Sequence, residues 1–154
     1  MSLAVLAVLI WLGLAGSLDQ APGASTPPVS ECMQQGATLV GSQPIQARGK
    51  LNLPKKRKHV EPLIPSVPPG TPAASGVWIG EALVDTKGRI VHVWTLREPK
   101  PTPASPGVSE AIVAAVQQWE YEPLVIEKTP RPFCKIVTFT IRREGGDWNL
   151  PRSP

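Results

Sequence analysis

Between Leu18 and Ser75 the chain contains no phenylalanine, tryptophan or tyrosine, and ten of its 19 prolines fall in that stretch. Of the other aromatics, Trp11 sits in an apolar N-terminal run and the rest all follow Gly76. A segment so poor in large apolar side chains buries too little surface to offset the entropy of ordering its backbone. Folding is therefore expected to begin near Gly76, in a part small enough to be only marginally stable alone. With 154 residues in all, this arrangement excludes a large multilayer enzyme, a coiled coil, a solenoid and a polytopic membrane protein.

Residues 1–18 are expected to form a signal peptide or an N-terminal membrane anchor. Ser2 to Leu18 carries no charge, and its apolar centre, Leu3 to Leu14, has the length of a signal-peptide core. Ala15-Gly16-Ser17 offers small residues for cleavage. The run is short for a spanning helix, and no Lys or Arg precedes it to orient one. Export to the periplasm by a signal peptide is the first expectation, and retention in the inner membrane by one helix is the second.

Residues 19–59 are expected to be a disordered, Pro-rich and basic linker. Its prolines favour extended polyproline II, and its glycines and serines add flexibility. Arg48, Lys50, Lys55, Lys56, Arg57 and Lys58, followed by His59, account for much of the net charge of +4. Lys55, Lys56, Arg57 and Lys58 together suit contact with an anionic lipid surface, although a solvated charged linker explains the same run. Nucleic-acid binding is not expected, because no aromatic is interleaved for base stacking.

Beyond this point the pattern reads strand, strand, helix, strand. Gly76 to Asp85 is rich in Val, Ile and Trp. Trp78, Gly80, Ala82 and Val84 share one face of that strand, and Val77, Ile79, Glu81 and Leu83 share the other. Asp85-Thr86-Lys87-Gly88 makes a short loop with Gly where a positive φ is needed, and Arg89 to Arg97 returns as the second strand. A proline-rich loop follows. Val108 to Trp119 is expected to be helical, with Val108, Ile112, Ala115, Val116 and Trp119 on one stripe. Ser105 ahead of Pro106, or Ser109, offers an N-cap, and Pro123 limits the far end. Phe133 to Arg143 is the third strand, with Phe133, Lys135, Val137, Phe139 and Ile141 on one face. The expected fold class is α+β: a two-layer unit of three antiparallel strands with one helix packed on them (β-β-α-β) over residues 60–143. Residues 144–154 are expected to be a disordered tail.

Those residues resemble a known family. Gly76, Asp85 and Gly88 stand where the opening hairpin of the TonB C-terminal domain has its first Gly and its Asp-x-x-Gly turn. Ala111, Ala114 and Ala115, followed by Trp119, Tyr121 and Pro123, resemble that family's second signature, a small-residue helix ending in Trp-x-aromatic-x-Pro. The run from Lys135 to Arg142 is similar to its closing strand, and His59 to Gly76 to its proline-rich approach, with Ile64 where Tyr is usual. The resemblance spans roughly residues 58–143.

The resemblance implies a periplasmic module of energy-coupled transmembrane transport. It would capture an extended peptide, the TonB box of an outer-membrane receptor, by strand addition to an exposed sheet edge. Carried over, the capturing strand is Lys135, Ile136, Val137, Thr138, Phe139, Thr140, Ile141 and Arg142, and Val137→Pro would remove a backbone donor from it. Family transducers bear a Ser-His pair in the membrane helix that engages the ExbB and ExbD motor proteins. No histidine precedes His59 here, so motor coupling is not carried over. The alternative is a structural envelope module that dimerises through the same edge, without energy transduction.

Single residues fill in the reading. Trp119 lies on the helix stripe and is expected in the core, Trp78 and Trp94 are expected to pack across the hairpin, and His92 stands alone on a strand. Cys32 and Cys134 are the only cysteines. In an oxidising compartment they would form a disulfide; otherwise they are two free thiols. Two cysteines and two scattered histidines have no metal-site spacing. Glu110, Glu120 and Glu122 cluster near one helix end without an evident pocket. No nucleophile elbow, phosphate loop or cofactor motif is present, so neither catalysis nor a cofactor is expected.

Overall fold

The computed structural model describes residues 30–47, 54–66, 74–99, 107–144 and 147–149. The expected signal or anchor segment lies outside them. Among the described residues the fold is mixed α+β with two helices, and most of its elements are strands. In chain order these are α1 (Glu31–Val40), β1 (Ile45–Gln46), β2 (Lys56–Lys58), β3 (Ala74–Val84), β4 (Ile90–Arg97), α2 (Val108–Val116), β5 (Glu120–Tyr121), β6 (Leu124–Ile126), β7 (Thr129–Arg131), β8 (Phe133–Glu144) and β9 (Asp147–Asn149). No helix among the described residues is long and apolar enough to cross a membrane.

Among the described residues the main sheet has five strands, not three. Its centre is antiparallel, in the order β8-β3-β4, and β3 pairs with β8 without a register break from Ala74↔Arg143 to Val84↔Phe133. β1 runs parallel to the start of β8, and β9 pairs antiparallel with its end. Residues 147–149 of the expected tail are thus strand. Two small ladders, β2 with β5 and β6 with β7, lie off this sheet.

Alternation along β3 and β8 sorts their side chains between two helices. Trp78, Ala82 and Val84 from β3 join Phe133, Val137, Phe139 and Ile141 from β8, packed against Val108, Ile112 and Val116 of α2. The opposite face carries Leu83 and Cys134 against Cys32 of α1, with Trp94 beside them. The unit therefore has three layers, helix-sheet-helix, where two were expected. Trp78 and Trp94 lie on opposite faces and do not pack together. Trp78 instead meets Phe139, its cross-strand neighbour, edge-on at 6.0 Å between centroids.

The linker expectation fails over residues 30–47 and 54–59, which hold α1, β1 and β2. Residues 30–47 contain no aromatic side chain to anchor them. Cys32 is joined to Cys134 of β8 with Cα atoms 6.0 Å apart, so the covalent link supplies what apolar area does not. A buried carboxylate adds to it. Glu81 is fully buried on β3. It accepts from Ser30 Oγ (2.6 Å), from the Cys32 N–H (3.2 Å) and from Gln46 Nε2 (3.3 Å). Ser30 is also the N-cap, accepting from the Met33 N–H at 3.1 Å. An acidic group thus meets the donor end of α1, where unpaired N–H groups favour it.

The second helix differs from expectation at both ends. Its N-cap is Gly107, at φ 79°, with no side-chain cap bond, so Ser109 does not cap it; Ser105 lies outside the described residues. The helix stops at Val116, well before Pro123. The chain turns through Gln117 and Gln118 because Trp119 and Tyr121 are held elsewhere. The Trp119 indole N–H donates to the Val60 carbonyl at 2.8 Å, and β5 pairs with β2.

Two predictions follow from this packing. A Cβ on Gly80 would collide with the indole of Trp78, which is fully buried. Gly80→Ala should lower stability by about 1–3 kcal/mol, read as a drop in the thermal midpoint by circular dichroism. Replacing both Cys32 and Cys134 with Ala reopens a link spanning 102 residues. This should cost about 2–5 kcal/mol in urea unfolding, and an unchanged midpoint would show that the link constrains nothing.

Candidate functional site

The edge of β8 turned away from β3 is paired at both ends and unpaired between them among the described residues. At its start, the Ala47 N–H donates to the Cys134 carbonyl at 2.9 Å and the Ile45 N–H to the Pro132 carbonyl at 3.0 Å. At its end, Arg142 pairs with Asn149 of β9. In an antiparallel ladder, successive residues aim their backbone groups to alternate sides. With Cys134 aimed outward, Ile136, Thr138 and Thr140 aim outward too.

The eight predicted edge residues therefore divide. Ile136, Thr138 and Thr140 present backbone groups at the open stretch. Lys135, Val137, Phe139 and Ile141 turn theirs to β3, and Val137, Phe139 and Ile141 bury their side chains in the core. Arg142 is already engaged by β9.

A cationic and aromatic cluster lies on the α2 side of the same strand. Trp119 is buried against Phe139, with ring centroids 5.7 Å apart. The Lys56 ammonium sits 3.5 Å from the centre of the Trp119 ring and 3.1 Å from His59 Nδ1. The His59 ring lies 4.8 Å from Trp119. Lys135 Nζ stands 4.8 Å from the centre of the Tyr121 ring. Burial holds the Lys56 pKa below the usual lysine range, and the charge of Lys135 adds to this. Burial likewise lowers Lys135. His59 is lowered by burial and then by Lys56, partly opposed by Glu61. Burial pushes the Tyr121 phenol up to about 12.

The basic run is thus split by the fold. Lys56 turns in over Trp119, Lys58 pairs with Glu120 at 3.6 Å, and Lys55 and Arg57 remain exposed. The pattern of charge in the sequence did not reveal this, because the partner of Lys56 is an aromatic ring far along the chain.

Of the residues that carry the resemblance, Asp85, Gly88 and Tyr121 lie together, while Gly76 lies at the far end of β3. Gly88 has φ 85°, and a Cβ there would collide with the Tyr121 carbonyl. The Tyr121 N–H donates to the Gly88 carbonyl at 2.8 Å. Gly88 is thus needed both for its backbone angle and for this approach. Asp85 closes the turn: its carboxylate accepts from the N–H groups of Lys87 (2.8 Å) and Arg89 (2.9 Å) and from the Arg89 guanidinium (3.0 and 3.1 Å). Gly76 pairs with Ile141 across the ladder, and Pro123 is exposed between β5 and β6.

Sequence reasoning placed Glu81 on a strand face and gave it no role. Its carboxylate and the sulfurs of Cys32 and Cys134 lie within 4.8 Å of one another. With the sulfurs bonded together and the carboxylate held by three donors, the group acts as a structural anchor. A pocket of about 320 Å³ lies between β4 and α2, lined by Thr95, Glu110 and Val113 among others, and one of about 140 Å³ lies between α2 and Val60–Leu63.

No protein-family model, no curated protein and no solved structure matches the chain.

Burial alone would raise the Asp85 pKa, but hydrogen bonds from Arg89 and Lys87 and the Arg89 charge outweigh it and hold the group below the ordinary aspartate range. A depressed carboxylate adds stability above its unfolded pKa and loses it as pH falls through the folded value. Asp85→Asn should therefore cost about 1 kcal/mol at pH 7, and the gap from wild type should shrink below about pH 4. Urea midpoints measured across that range test it.

Proposed function

We propose that the protein is a TonB-like periplasmic module that binds an extended peptide of an outer-membrane receptor by strand addition at β8. The observation that carries this reading is the stretch of β8 edge at Ile136, Thr138 and Thr140, which faces away from the sheet between β1 and β9 with no strand partner among the described residues. An unpaired edge gives affinity through backbone hydrogen bonds and needs no deep pocket. The family resemblance supplies the kind of peptide.

Alternation decides which proline tests the edge. Val137 donates toward β3 and its side chain is in the core, so proline there would break the sheet itself. Thr138 donates outward and its side chain is exposed, the setting in which a strand tolerates proline. Thr138→Pro should retain its thermal midpoint to within a few degrees and lose at least about tenfold in affinity for a TonB-box peptide, since it removes one bond and blocks close approach. Isothermal calorimetry with the folded variant reads this, and unchanged affinity removes the edge from the reading. The rival outcome is self-pairing of two copies through the same edge, which sedimentation of wild type against Thr138→Pro would reveal as a dimer lost on substitution.

A further inference from the structure

The geometry points to a carboxylate-selecting subsite beside that edge: Lys56 and Lys135, set over Trp119 and Tyr121, choose extended peptides that carry an acidic side chain on the α2 side of the added strand. This rests on the strand-addition reading and names the peptide chemistry it selects.

Three observations carry it. Lys56 and Lys135 have no carboxylate partner among the described residues, where the ion pairs are Lys58–Glu120 and Arg89–Asp85. Each ammonium is instead held against an aromatic face, at 3.5 Å for Lys56 and 4.8 Å for Lys135, which fixes its position while leaving its charge uncompensated. The two charges are close enough to depress the Lys56 pKa, so an anion placed between them is favoured by both.

The position of the anion follows from the ladder. Lys135 is the first residue of β8 beyond the strand positions paired with β1. Ala47 stands beside it, with its N–H on the Cys134 carbonyl, so the first open place on the α2 side is opposite Val137, whose backbone also faces β3. A peptide residue there sits in a non-hydrogen-bonded pair, diagonal to Lys135 and within reach of a long side chain. That residue projects to the α2 side, toward Lys56, His59 and Trp119. Peptide residues opposite Ile136, Thr138 and Thr140 project to the α1 side and gain nothing from the cluster. Half-buried lysines bind a carboxylate more strongly than exposed ones, because the surroundings screen them less.

The test uses two fluorescein-labelled heptapeptides of alternating valine and threonine. One carries glutamate at two alternate positions, and its twin carries glutamine there. At low ionic strength the full chain should bind the glutamate peptide about three- to tenfold more tightly by anisotropy, with the ratio falling as salt is raised. Lys56→Gln together with Lys135→Gln should bring the ratio to about one. Lys135→Arg, which keeps the charge, should retain the preference. Equal affinity of the two peptides for wild type overturns the subsite and leaves strand addition standing, provided Thr138→Pro weakens both. A preference that survives Thr138→Pro, with no loss for either peptide, keeps the cationic subsite and overturns the edge. Failure of wild type to bind either peptide overturns both. A vesicle of anionic lipid that competes fully with the glutamate peptide would assign the lysines to a membrane surface instead and overturn the peptide assignment.

Discussion

The unbroken ladder between β3 and β8 is the constraint on which the rest of the molecule depends. Its register puts Trp78 beside Phe139 and Leu83 beside Cys134, and those two pairs belong to opposite faces. One face is completed by α2 and the other by α1. A slip of one residue would exchange the faces. It would bring Cys134 to the α2 side, out of reach of Cys32, and send Phe139 to the α1 side. The disulfide and the aromatic core therefore hold the same register by independent means.

What lay open to reading in the sequence was whatever is encoded over a few neighbouring residues. Asp85 and Gly88 announce their turn because the side chain and the backbone angle act locally. The stripe from Val108 to Val116 announces a helix in the same way. Trp119 is buried as expected, though it lies beyond the helix and not on its stripe. The end of α2 was misread because Trp119 leaves the helix to donate to Val60, a partner 59 residues away. The helix of residues 31–40 was missed for the same kind of reason. Its sequence lacks aromatics, and its anchors are Cys134 and Glu81, both distant in sequence. The sequence left open whether the two cysteines pair, and the disulfide in the structure decides it.

The candidate site was legible only in part. The last strand and its alternation could be read, but not that β1 and β9 would claim its two ends and leave Ile136, Thr138 and Thr140 between them. Nor could charge counting separate Lys56 from its neighbours in the basic run, since only the fold turns it onto Trp119. Both features arise from contacts between segments that local pattern does not connect.

The covalent link from Cys32 to Cys134 also sets how the molecule would respond to tension. A pull on the chain ahead of Cys32 passes through the sulfur–sulfur bond directly into the start of β8. The residues between the two cysteines form a closed loop that the load bypasses, so β3, β4 and α2 are not stretched end to end. A partner strand lying along β8 would receive that load along its length, through all its hydrogen bonds at once. The load path therefore runs from Cys32 through the sulfurs to the start of β8, and the loop between the cysteines hangs beside it.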